Sequence, residues 1–298
     1  MGEEAKRYAV VTGSNKGIGY GICKKLATRG VKVVLTARNE KRGLEALDKL
    51  KQEIGVISSS DSVLFHQLDV TDPSSIASFT HFITTSFGKL DILVNNAGVS
   101  PGPVNGEALS KKVSGEEIEW DEIVKCNVDM SRKCVDTNYF GAVRVTEALL
   151  PLLQLSSSPT IVNVTSLAGL IKLIKHERAR EVLGDLESLT REKLEEVVSE
   201  FMKDYEQGTW IEKGWPTMTP PNTVAKAALN VYTRLTAKNY PSFRVNSVSP
   251  GFVKTDMTQN YGFSSVDEAA EHIVRLALVP PTGPTGLFFD RDKVIPLE

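Results

Sequence analysis

Three cysteines in 298 residues are too few, and too irregularly spaced, for a disulfide-stapled or metal-built fold. Cys23, Cys126 and Cys134 are odd in number and show neither Cys-x-x-Cys nor metal-ligand spacing. They are expected to be reduced, buried thiols in a cytoplasmic protein, with no metal site. A surplus of either charge is also missing: 35 Lys plus Arg stand against 37 Asp plus Glu, a formal net charge of -2. That balance removes the electrostatic basis for nucleic acid or an anionic membrane as partner, and leaves small neutral ligands. No apolar run reaches membrane-spanning length, and Met1-Gly2-Glu3-Glu4-Ala5-Lys6 lacks the apolar core of a secretion signal. Lys6 also stands where an N-myristoylation motif places Ser or Thr. With no internal repeat or low-complexity linker, a single domain over residues 1–298 is the simplest expectation.

What is present has the proportions of a globular chain, 41% hydrophobic and 24% charged. Short apolar runs alternate with amphipathic stretches: Tyr8-Ala9-Val10-Val11, Lys32-Val33-Val34-Leu35, Val63-Leu64-Phe65-His66, Leu90-Asp91-Ile92-Leu93-Val94, Thr160-Ile161-Val162-Asn163-Val164 and Phe243-Arg244-Val245-Asn246-Ser247-Val248. This rhythm predicts an α/β fold, a Rossmann-type doubly wound parallel sheet with helices on both faces. A last short strand is expected at Gly286-Leu287-Phe288-Phe289. A helical insertion at about 171–215 interrupts the pattern. Within it Thr190 caps a predicted helix whose Leu194, Val197, Val198, Phe201, Met202 and Tyr205 form one apolar stripe, with Gly208 as its stop. The stripe has two readings, a lid over a ligand cleft or plain core packing.

The first strand runs into Thr12-Gly13-Ser14-Asn15-Lys16-Gly17-Ile18-Gly19 and then a helical stretch. Glycines permit the tight turn and close backbone approach by which a pyrophosphate rests on helix N–H groups, so the segment predicts dinucleotide binding. After the second strand, Thr36-Ala37-Arg38-Asn39 offers a guanidinium where an NAD-selective site offers a carboxylate. Arg38, with Lys16 as a second cation, favours NADP(H) over NAD(H) as cofactor.

Thr12-Gly13-x-x-x-Gly17-x-Gly19, Leu68-Asp69-Val70, Asn95-Asn96-Ala97-Gly98, Asn138, Ser166, Lys226 and Pro250-Gly251 occur in the order found in short-chain dehydrogenases/reductases. The chain resembles that family along nearly its whole length. It looks most like the plant branch containing menthone/neomenthol reductases, isopiperitenone reductase and salutaridine reductase. The resemblance implies that Asp69 and Val70 serve the adenine end, that Asn96, Ala97 and Gly98 line the cofactor pocket, and that Thr255 lies near the nicotinamide amide. It further implies that Lys226 holds the ribose and supplies charge, that Asn138 positions a water relay, and that Ser166 hydrogen-bonds the substrate oxygen. The long segment between Ser166 and Asn222, typical of the branch, implies a monomer.

One position departs from the family. Asn222, four residues before Lys226, stands where the family places its proton-donating tyrosine. On the residues alone, Asn after Pro220-Pro221 reads as a helix N-cap, a role compatible with a second one in catalysis. Chemically, an amide cannot supply the proton that ketone reduction requires. It can donate hydrogen bonds to an enolate oxygen, as C=C reduction of an enone requires, together with Ser166 and the field of Lys226. Isopiperitenone reductase likewise lacks the tyrosine and reduces a C=C bond, with Glu in its place. The expectation is therefore an NADPH-dependent reductase of a small hydrophobic, monoterpenoid-like enone. The alternatives are a carbonyl reductase with a substitute acid and a cofactor-loaded binding or cyclase-like protein. Tyr139 and Tyr232 lack the family's spacing for the acid.

Overall fold

The computed structural model describes residues 6–55 and 60–298, so the leader reading, Lys6 apart, lies outside the described residues. Eight strands form one sheet in the order β3-β2-β1-β4-β5-β6-β7-β8. They are β1 (Tyr8–Val11), β2 (Lys32–Ala37), β3 (Val63–Gln67), β4 (Ile92–Asn95), β5 (Thr160–Val164), β6 (Arg244–Ser249), β7 (Phe288–Asp290) and β8 (Lys293–Val294). All neighbours pair in parallel except β7 with β8, a two-residue edge that no apolar run announced. The helices are α1 (Gly17–Ala27), α2 (Glu40–Ile54), α3 (Pro73–Phe87), α4 (Gly106–Val113), α5 (Trp120–Ile123), α6 (Val128–Val135), α7 (Ala142–Leu153), α8 (Glu177–Gly184), α9 (Arg191–Glu206), α10 (Pro220–Asn239) and α11 (Val266–Ala277). A π-helical turn, Asp136–Gly141, joins α6 to α7.

The doubly wound architecture follows from strands that are apolar on both faces. Successive residues of a strand point to opposite sides, so each run must be covered twice. Ala9, Val11, Val33, Leu35, Ile92 and Val94 pack with Ile22 and Leu26 of α1, Leu50 of α2 and Ile273 of α11. Their neighbours Val10, Val34 and Leu93 pack with Phe79 and Ile83 of α3 and with Val145 and Leu149 of α7. Each fully buried Val, Leu, Ile or Phe contributes roughly 1.5–3 kcal/mol, which makes the two layers the main stabilising term.

In the inserted stretch Thr190 caps α9, its side chain accepting from the Lys193 amide, and Gly208 follows the helix with φ of 74°. Leu194, Val197, Val198 and Phe201 are buried with Val135, Tyr139 and Val143 and with Val224, Ala228 and Val231 of α10. The stripe thus seals against helices flanking the sheet. The lid reading is corrected to core packing, because those helices offer the stripe an apolar surface to bury against. Asp204 is the polar exception at 1% exposure: it accepts from Trp215 Nε1 at 2.9 Å and pairs with Lys213. Burial opposes its ionisation, yet the hydrogen bonds from Lys213 and Trp215 hold its carboxyl below the ordinary value. Sequence patterns did not reveal this latch.

Because the strands run parallel, the loops leaving β1, β2, β3, β4, β5 and β6 open on one edge of the sheet. β1 and β4 lie side by side there, at the point where the winding reverses and where such sheets hold ligands.

Candidate active site

The turn after β1 is built for backbone approach. Gly13 and Gly17 adopt φ of 61° and 57°, the left-handed region that glycine enters freely. A Cβ at Gly13 would lie 2.8 Å from Ala97 Cα, and one at Gly19 would lie 2.5 Å from Asn96 Nδ2, so both positions require glycine. Thr12 Oγ1 accepts from the amides of Asn96 and Ala97 at 2.9 and 3.0 Å, while Asn96 Nδ2 donates to the carbonyls of Thr12 and Gly13. Asn96 thereby holds the glycine turn against β4. Asn15 is half-buried, and Ile18 packs onto the core. α1 has no acidic residue in its first turn, and the side chain of its N-cap residue, Lys16, makes no capping hydrogen bond.

Ser14 fastens this turn to the end of β2, its amide donating to Thr36 O at 2.8 Å. Arg38 emerges beside it, exposed and paired with no carboxylate among the described residues. Lys16, in contrast, is engaged: its Nζ lies 2.6 Å from Asp256 Oδ2, with both side chains mostly exposed. Asp69 Oδ1 accepts from the amide and hydroxyl of Thr71. Val70 is buried against Gly141, where a Cβ would meet Val70 Cγ2 at 2.6 Å. Beyond β6, Pro250 is buried, Gly251 has φ of 82°, and Thr255 begins a short turn closed on itself through Thr258. Helix N–H groups that the N-cap side chain leaves free, a turn whose glycines take left-handed conformations and, among the described residues, a guanidinium with no carboxylate partner fit a phosphorylated dinucleotide.

The chemistry-bearing residues come from three places: the π-helical turn (Asn138), the turn after β5 (Ser166) and α10 (Asn222 and Lys226). Asn138 sits in the π-helical turn, a distortion that often marks functional sites. Its Oδ1 accepts from the Val99 amide at 2.8 Å and its Nδ2 donates to the Val99 carbonyl at 3.0 Å, which fixes the orientation of the amide. The same Nδ2 donates to Asn222 Oδ1 at 3.0 Å. Asn222 must therefore turn its oxygen toward Asn138 and keep Nδ2, with both its hydrogens, for another acceptor. The N-cap reading of Asn222 is corrected. α10 starts two residues earlier, with Thr219 at the cap in a left-handed conformation (φ 39°) and Pro220 and Pro221 in the first turn, where missing N–H groups cost nothing.

Lys226 lies one turn along α10 on the face of Asn222 and donates from Nζ to Val164 O at 2.7 Å. Burial pushes its ammonium down to about 8, against an opposing pull from Cys134. No hydrogen bond joins Asn138 directly to Lys226 among the described residues. Ser166 Oγ accepts from the Ala168 amide at 3.1 Å, which leaves its own hydrogen free to donate. Tyr139 and Tyr232, 0% and 5% exposed, stack edge to face in the core, so neither can serve the cleft as an acid.

Residues 7–177 match the family described as short chain dehydrogenase, and residues 209–280 match one described as enoyl-(acyl carrier protein) reductase. The chain is 50% identical to (+)-neomenthol dehydrogenase of Arabidopsis thaliana over 99% of both chains. It is also 50% identical to (-)-isopiperitenone reductase of Mentha piperita, again over 99% of both. The structure of salutaridine reductase from Papaver somniferum superimposes with a TM-score of 0.88 at 45% identity, covering 96% of this chain and all of that one. The chain belongs to the short-chain dehydrogenase family.

As a short-chain dehydrogenase it is an oxidoreductase, and the family's signature positions converge on one edge of its sheet. Sequence reasoning missed three of their partners. Val99 contributes only backbone, which carries no side-chain signal. Asp256 contacts Lys16 across 240 positions. Cys134 is fully buried, accepts from Asn138 Nδ2 at 3.3 Å, and burial pushes its thiol up to about 12. Its position four residues before Asn138 in a helical stretch was the available clue.

Proposed function

We propose that this short-chain dehydrogenase is an NADPH-dependent reductase of a small hydrophobic enone, monoterpenoid-like in character, and that it reduces the C=C bond. The orientation of Asn222 carries the reading. Val99 fixes Asn138, Asn138 fixes Asn222, and the amide presents N–H donors without an acidic hydrogen. Bound NADPH supplies the hydride. When the β-carbon of an enone accepts it, the electron pair moves to the carbonyl oxygen, which then needs donors rather than an acid. Asn222 Nδ2 and the Ser166 hydroxyl serve as those donors, the charge on Lys226 steadies the oxygen, and solvent protonates the α-carbon.

Arg38 holds the 2′-phosphate with help from Lys16, and the turn of Gly13, Gly17 and Gly19 receives the pyrophosphate. Asp69 serves the adenine end, Thr255 the nicotinamide amide, and Lys226 the ribose. The enzyme acts as a cytoplasmic monomer, one domain with its insertion at about 171–215. A relative named isopiperitenone reductase supports the reading. Relatives named neomenthol dehydrogenase and salutaridine reductase support a second one, ketone reduction, which requires a proton donor other than Asn222. The test compares NADPH oxidation with a cyclic enone and with its saturated ketone. The enone is expected to be consumed and the saturated ketone left; the reverse preference removes the proposal.

A further inference from the structure

The ion pair between Lys16 and Asp256 has no place in the chemistry above. Lys16 immediately precedes α1 in the glycine turn, and Asp256 follows Thr255 in the segment after β6. Their 2.6 Å contact joins the loop after β1 to the loop after β6 at the edge where the cofactor residues converge. The two loops also approach beside it, since a Cβ at Gly17 would lie 3.7 Å from Thr255 Cγ2.

Resting on the NADP(H) reading, we infer that Asp256 sets cofactor selectivity by competing with the 2′-phosphate for Lys16. The two side chains are 64% and 71% exposed, so the pair is weak, solvent-screened and readily exchanged. A phosphate monoester carries more charge than a carboxylate and three strong acceptor oxygens, and so displaces Asp256 from the ammonium. Arg38 has no such competitor among the described residues. One of the two cations is therefore ready for the phosphate, and the other must first give up a carboxylate. The hydrogen bond and charge of Lys16 keep the Asp256 carboxyl below its ordinary value, so the competitor stays ionised throughout the neutral range.

The experiment is calorimetric titration of the full chain with adenosine 2′,5′-bisphosphate and with 5′-AMP, which report the phosphate without any turnover. In Asp256→Asn the bisphosphate is expected to bind about two- to fivefold more tightly, the scale of an exposed ion pair, with 5′-AMP unchanged. In a Lys16→Ala background the same substitution should bring no gain. Equal tightening of both probes, a gain that persists without Lys16, or no change overturns the inference. If the starting protein binds the two probes equally, the NADP(H) reading itself fails. A clear preference for the bisphosphate that Asp256→Asn leaves untouched sinks only the competition.

Discussion

Asn222 shows how a residue's role depends on a partner far away in the chain. Its local sequence, Asn after two prolines, is that of a helix cap, and nothing nearby indicates that Asn138, 84 positions distant, claims its oxygen. The shape of the glycine turn and the place of Arg38 after β2 were legible because adjacent residues determine both; the Asn138–Asn222 link and the Val99 lock were not. If Asn222 is an oxyanion donor, Asn222→Ala should lower kcat for an enone by about 100-fold, as for loss of one donor, while NADPH affinity in a fluorescence titration stays constant. A loss of cofactor affinity instead would mark the residue as structural. Lys226 adds a pH dependence. With its ammonium lowered to about 8 by burial, it is charged below that pH and neutral above, so kcat/KM for the enone should fall as pH rises through about 8. The unfolded chain keeps the ordinary lysine value of 10.5, so between about 8 and 10.5 it binds the proton that the folded state has lost. The Lys226 contribution to stability therefore rises with pH across that window, the opposite direction from the rate.

Among the elements, strands were the most legible, because runs of β-branched residues covered on both faces admit few other fates. β8 escaped because two residues carry no pattern, and the π-helical turn escaped because one extra residue in a helix leaves no mark in apolar spacing. The start, stripe and stop of α9 were readable from Thr190, its apolar spacing and Gly208; what the stripe covers was not, since one face looks the same whether it meets solvent-side helices or a cleft. Asp204 holds the far end of this segment. Asp204→Ala leaves the buried Trp215 N–H without its acceptor and Lys213 without its carboxylate, a loss of about 1–3 kcal/mol. Calorimetry should show the Tm about 2–5 °C lower, with rates at low temperature little changed. An unchanged Tm would mean that the latch contributes nothing to stability.

The whole molecule reads as a Rossmann-type sheet from alternation alone, and its family from motifs spread over nearly the full length. Assembly is a separate matter. Since α9 occupies faces of α6, α7 and α10 within its own chain, those faces are closed to a second copy, and light scattering at micromolar concentration should give the mass of one chain, 32.6 kDa. A stable tetramer would show that other surfaces associate. The central claim is that the amide at position 222 directs reduction to C=C, and the most direct measurement is where hydride ends up. A cyclic enone reduced with deuterium-labelled NADPH, and analysed by NMR, should yield the saturated ketone with deuterium on the β-carbon. An allylic alcohol carrying deuterium on the former carbonyl carbon would contradict the account.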